Sequence, residues 1–133
     1  MKILYVEKSK TIRGINTHLL KENGYKDVIE AGNGEDALEK LLQNPDVQLT
    51  LLDYELPNME SIETLQAIRK NPANKDILVI MLTSDPGNKV RTIEALRNGA
   101  CNCWDKPLSI RKIKPELDEY DRKLREKYSQ TPT

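Results

Sequence analysis

A chain of 133 residues has room for one domain built on one core, and not for a second folded module. With 38% hydrophobic and 32% charged residues, it reads as a globular protein rather than a disordered or membrane one. Lysine plus arginine equals aspartate plus glutamate, 21 each, which offers no electrostatic footprint for nucleic acid or an anionic membrane.

Short β-prone apolar runs alternate with stretches of helical period, the pattern of an α/β fold with a parallel sheet covered on both faces. The first strand is expected at Ile3–Val6, where Glu7 and Lys8 end the apolar run before a signal-peptide core could form. Ser9 or Thr11 starts the first helix, Ile12, Ile15 and Leu19 form its apolar face, and Asn23-Gly24 stops it. His18, beside that face, is expected to be structural and partly exposed. The second strand, Asp27–Glu30, leads to Asn33 as cap of a helix with the stripe Ala37, Leu38, Leu41 and Leu42. The third strand, Val47–Leu52, ends in an apolar pair just before Asp53, and Ile62, Leu65 and Ile68 line the helix after it.

The fourth strand, Ile77–Leu82, is wholly apolar, as a central strand buried on both faces should be. Val90, Ile93 and Leu96 line the fourth helix, closed by Asn98-Gly99. The fifth strand is expected at Cys101–Trp104, with both thiols on one face and Asn102 on the other. Two cysteines and one histidine are a poor start for a zinc site, so the thiols are read as packing groups in a reducing, cytoplasmic setting. Pro115 would remove a hydrogen bond from a helix begun at Ser109, so the last helix is expected to be delayed or kinked, with Pro115-Glu116-Leu117 as a helix start. One domain over 1–128 and a disordered polar tail over 129–133 complete the reading. No apolar run approaches the roughly 20 residues of a membrane span.

In open parallel sheets, ligands gather at the carboxyl ends of the strands. There this sequence places Glu7 and Lys8, Asp53, Thr83 and Ser84, and Lys106-Pro107. Such a set suits phosphoryl transfer to a carboxylate. Asp53 attacks in line, a divalent cation offsets the developing charge, and Lys106 and Thr83 hold the phosphoryl oxygens.

At this point the chain resembles a known family over nearly its whole length. Leu51-Leu52-Asp53-Tyr54-Glu55-Leu56-Pro57 is similar to the phosphoacceptor segment of response-regulator receiver domains, and Met81-Leu82-Thr83-Ser84 to their switch strand. Asn98-Gly99-Ala100 followed by Lys106-Pro107 resembles their Lys-Pro corner, and Lys10–Arg13 and Asn33–Glu39 resemble the starts of their first two helices. The resemblance implies a flavodoxin-like five-stranded sheet of order 2-1-3-4-5, for which a chemotaxis receiver is a worked case. It further implies a phosphoacceptor Asp53, phosphoryl contacts from Thr83, Ser84 and Lys106, and magnesium held by Glu7, Asp53 and the main-chain carbonyl of Glu55. Implied partners are a histidine kinase or phosphotransfer protein, and a second copy through the face of the fourth helix, fifth strand and fifth helix. Neither nucleic acid nor membrane is an expected partner of this domain, and no enzymatic activity is expected beyond its own phosphorylation and dephosphorylation.

Four places depart from the family pattern. Lys8 stands where the family has a second acid, so magnesium binding is expected to be weakened by like-charge repulsion. Cys103 stands where a Tyr or Phe commonly swings with the switch threonine; a thiol cannot make that rotamer signal, so Thr83 is expected to couple to something else, with Trp104 as the candidate. Met59-Glu60-Ser61 alters the loop after Asp53, and Pro115 alters the last helix. Two other functions compete: a pseudo-receiver acting through protein contacts alone, and a dinucleotide-binding domain suggested by Gly32-Asn33-Gly34-Glu35-Asp36-Ala37.

Overall fold

A computed structural model describes residues 1–57, 61–85 and 87–129. Five strands, β1 (Ile3–Val6), β2 (Val28–Ala31), β3 (Leu49–Asp53), β4 (Leu78–Thr83) and β5 (Asn102–Asp105), alternate with five helices. The helices are α1 (Lys10–Glu22), α2 (Gly34–Gln43), α3 (Ser61–Lys70), α4 (Lys89–Arg97) and α5 (Ile110–Ser129), with a 3-10 turn at Pro72–Asn74. All pairings are parallel and the strand order is β2-β1-β3-β4-β5, the doubly wound arrangement expected from the sequence.

Two cores sandwich the sheet. Alternate residues of β1, β3 and β4 send Leu4, Val6, Leu52, Val79 and Met81 to the side of α2, α3 and α4. Their neighbours Ile3, Tyr5, Leu51, Ile80 and Leu82 face α1 and α5, where Ile113 and Leu117 complete the packing. Each fully buried Leu or Ile contributes about 2–3 kcal/mol relative to leaving it in water.

Three of the helix faces differ from their expected stripes. Ile12 and Ile15 are 46% and 55% exposed, while Thr17 and Leu20 are the buried residues of α1. On α4 the sole buried residue is Ala95, and Val90, Ile93 and Leu96 lie outside. Leu42 of α2 is exposed as well. In each case periodicity finds apolar residues but cannot say which of two adjacent faces meets the sheet, and a small residue lets a helix approach where a large one would hold it off. His18 is exposed and pairs with Glu22 at 3.0 Å.

Strands β2 to β5 each end one residue later than expected from the sequence. Hydrogen bonding continues past the last apolar side chain, so Asp53 and Thr83 are the final residues of β3 and β4, not loop residues. Cys101 precedes β5 and is exposed beside Tyr120, whereas Cys103, on the strand, packs toward α4; the thiols therefore do not share a face. Helix α5 begins at Ile110, not Pro115. Pro115 costs only the bond to Arg111, and burial of Ile113 and Leu117 on either side holds the helix in place. The tail expected at 129–133 falls outside the described residues from 130 onward, as do Met59 and Glu60; Ser61 is buried.

Asn33 does the work of a helix cap, accepting from the Asp36 N–H at 2.8 Å. Its glycine-rich segment follows β2, an edge strand, rather than a central strand at the point where strand order reverses. That placement removes the basis for a dinucleotide-binding domain. Gly99, at φ +106°, closes α4 in the left-handed conformation, and its carbonyl accepts two bonds from the Arg69 guanidinium of α3.

Candidate functional site

The carboxyl ends of β1, β3 and β4 meet the loop after β5. Val6 pairs with Leu52, which sets Glu7 beside Asp53, and both acids are buried, 1% and 0% exposed. Arg13 of α1 fixes the end of β1 by donating to the Glu7 carbonyl at 2.6 Å and to the Glu30 carboxylate at 3.0 Å. Asp53 Oδ1 accepts from Lys106 Nζ at 2.8 Å and from the Glu55 N–H at 3.0 Å. Its other oxygen, Oδ2, is buried with no hydrogen-bond partner, and so is Glu7 Oε2.

Lys106 follows β5 and precedes a cis peptide to Pro107. Its ammonium lies 3.6 Å from Glu7 Oε2 and 3.4 Å from Glu55 Oε2 as well, so one cation serves three acids. Burial works against its charge, but the hydrogen bond and charge of Asp53, with Glu7 and Glu55, outweigh that and keep the ammonium above its ordinary pKa. For Asp53, burial first and the adjoining Glu7 carboxyl second push the pKa up to about 7, against the pull of Lys106. Glu55 behaves oppositely: burial is outweighed by bonds from Ser84 and by the Lys106 charge, and its pKa falls to about 2.

The sequence-derived residues thus take four kinds of place. Asp53, Glu7 and Lys106 form one buried cluster. Ser84 is exposed and turns to Glu55, donating from both its N–H and its hydroxyl, at 3.2 and 2.7 Å. Thr83 is buried, and its Oγ1 accepts from the Asp85 N–H and from Arg91. Lys8 stands outside: it is exposed and makes no ion pair with Glu7, Asp53 or Glu55, so the internal cation of this site is Lys106.

Trp104 cannot take over an aromatic relay from Thr83. It packs with Leu82, Ile113 and Leu117 on the α1–α5 side of the sheet, while Thr83 alternates with Leu82 onto the α4 side. The residue sequence reasoning missed is Arg91. It sits in the first turn of α4, outside any apolar period, and its single signal is a cation 8 residues beyond Thr83 at the end of β4.

The comparisons agree with this geometry. The family model described as response regulator receiver domain matches residues 3–118. The chemotaxis protein CheY1 of Helicobacter pylori is 36% identical over 118 residues, 89% of this chain and 94% of that protein. A chemotaxis protein CheY homolog of Campylobacter jejuni is 34% identical over 119 residues, 90% of this chain and 91% of its own. Among solved structures, the Vibrio cholerae chemotaxis response regulator CheY4 superimposes with a TM-score of 0.79 at 28% identity, covering 90% of this chain and 97% of that one. With a five-stranded 2-1-3-4-5 sheet and a family model that matches residues 3–118, the chain belongs to the response-regulator receiver domain family and is of the CheY type, consistent with two-component signalling.

Proposed function

We propose that Asp53 accepts a phosphoryl group from a histidine kinase or phosphotransfer protein, and that the domain signals through the change this causes. The observation that carries the reading is the state of Asp53: a fully buried carboxylate with one oxygen tied to Lys106 and the other uncommitted. An isolated buried carboxylate is costly, and here the Lys106 amine already stands beside it to offset the charge. In the transfer, an Asp53 oxygen forms a bond to phosphorus as the bond from phosphorus to the donor nitrogen breaks, its electron pair leaving with the imidazole. Lys106 moves with the new anion, and the Thr83 and Ser84 hydroxyls are the donors next to it.

The donor set fits a small divalent cation. Two buried carboxylate oxygens, Glu7 Oε2 and Asp53 Oδ2, lack hydrogen-bond partners, and magnesium characteristically uses one or two carboxylates and keeps several waters. The Glu55 main-chain carbonyl is the third protein donor we assign. Bound there, magnesium supplies positive charge to the phosphoryl oxygens. Among the described residues no group of three histidine, cysteine or acidic side chains occurs that could hold a metal, so the two carboxylates and this carbonyl are the whole protein donor set we assign.

We assign the partner's approach to an apolar cleft of about 250 Å³ beside Lys106, walled by Tyr5, Ile12, Pro107 and Leu108, with Ile12 exposed at its rim. Such a rim fits the apolar face of a partner helix. No helix among the described residues is long and apolar enough to cross a membrane.

Beryllofluoride, a phosphoryl mimic, tests the reading: with magnesium it should give a bound fluorine resonance in the wild type and none in Asp53→Asn. A bound signal of equal strength in that variant would place the site elsewhere.

A further inference from the structure

Helix α4 is held to the domain with little apolar burial, since Ala95 is its one buried side chain. Near the site its hold is polar. The Arg91 guanidinium lies 4.5 Å from the centre of the Tyr54 ring. Its Nη1 donates to Glu55 Oε1 at 2.8 Å and to Thr83 Oγ1 at 3.3 Å. One turn along, Glu94 accepts from the Tyr54 hydroxyl at 3.4 Å. Thr83 Oγ1 also accepts from the Asp85 N–H at 3.1 Å. A hydroxyl has two lone pairs to offer; with both engaged, what Thr83 has left to give is its proton. On β5, Cys103 sets a thiol against Thr92, where no ring is available to follow Thr83.

We propose that Arg91 is the positioning residue that ties Thr83 to helix α4, and that it passes the state of Asp53 to that helix in place of an aromatic on β5. This rests on the reading of Asp53 as phosphoacceptor. A phosphoryl group on Asp53 draws the Lys106 ammonium and the Thr83 hydroxyl toward its oxygens. Thr83 then turns away from Arg91, and Glu55 loses its share of Lys106. Arg91 is left with Glu55 and the Tyr54 ring, and the first half of α4, lacking an apolar anchor, loosens. Holding a carboxylate, a hydroxyl and a ring face at once needs the planar guanidinium; an ammonium cannot do all three.

Amide hydrogen exchange of residues 89–97 in the full chain, with and without beryllofluoride and magnesium, tests the assignment. In the wild type the analogue should speed exchange in α4 by about 3- to 10-fold, the scale of one typical hydrogen bond net of its exchange with water. In Arg91→Ala the helix should exchange fast from the start and show no further change, although the fluorine resonance shows the analogue bound. Arg91→Lys should keep the resting protection through Glu55 and lose most of the response. Because lysine retains the charge, this variant also carries the comparison should alanine disturb folding. A response of wild-type size in either variant overturns the role of Arg91 alone. Absence of bound beryllofluoride in the wild type overturns the Asp53 reading, and this proposal with it.

Discussion

The end of β3 and the start of α4 lie side by side, and they are held by different means. Asp53 closes a strand whose every residue is buried, between β1 and β4, and the strands fix its carboxylate before any side chain touches it. Helix α4 rests on Ala95 and on the polar contacts of Arg91 and Glu94, while its large apolar residues face outward. Chemistry that needs a fixed geometry sits where backbone pairing is densest. Motion that reports it belongs where few apolar contacts must break. The exposed Val90, Ile93 and Leu96 add an apolar outer face to that lightly packed helix.

Truncating one apolar residue in each region should break the symmetry most visibly. Leu52→Ala, on β3 beside Asp53, is expected to cost about 3–4 kcal/mol in urea unfolding, whereas Ile93→Ala on α4 should stay within about 0.5 kcal/mol. Comparable losses at both positions would mean that α4 is packed as firmly as the core.

A smaller effect should appear in the pH dependence of stability. Burial and Glu7 raise Asp53 from 3.8 to about 7, so between those values the folded chain keeps a proton that the unfolded chain has lost. The contribution of this group is therefore greatest below about pH 4 and declines as the pH rises to about 7. Asparagine cannot ionise, so Asp53→Asn should flatten the decline and be the more stable protein at pH 8 by about 1–2 kcal/mol. The gap should narrow toward pH 5. Parallel stability curves for the two proteins would show that the carboxylate is not held at a cost.

The smallest effect is expected at Lys8. Exposed and unpaired with the site's acids, it neither occupies nor guards the metal position, so Lys8→Ala should change magnesium affinity by less than about twofold. A tenfold gain in calorimetry would restore Lys8 as a competitor of the metal.

Much of this was legible in the sequence, for physical reasons. Apolar runs of strand length can only be buried in a sheet, and acids, hydroxyls and an amine at successive strand ends can only converge. The strand ends themselves were misread by one residue, because ladder pairing carries Asp53 and Thr83 into the sheet although both are polar. The apolar faces of α1 and α4 were misread because isoleucine and leucine on a surface look the same in sequence as in a core. Pro115 was read as a boundary because local propensity favours one, and the packing of Ile113 and Leu117 overrides it. Arg91 was barely legible: a cation at the start of the helix after β4 is its one local signal, and its partners are 8 and 36 residues away.

The central claim, that Asp53 is the phosphoacceptor, is tested most directly by intact-mass measurement after incubation with acetyl phosphate and magnesium. The wild type should gain one phosphoryl group, lost again under conditions that hydrolyse acyl phosphates, and Asp53→Asn should gain none. An unlabelled wild type, or a variant labelled to the same extent, would contradict it.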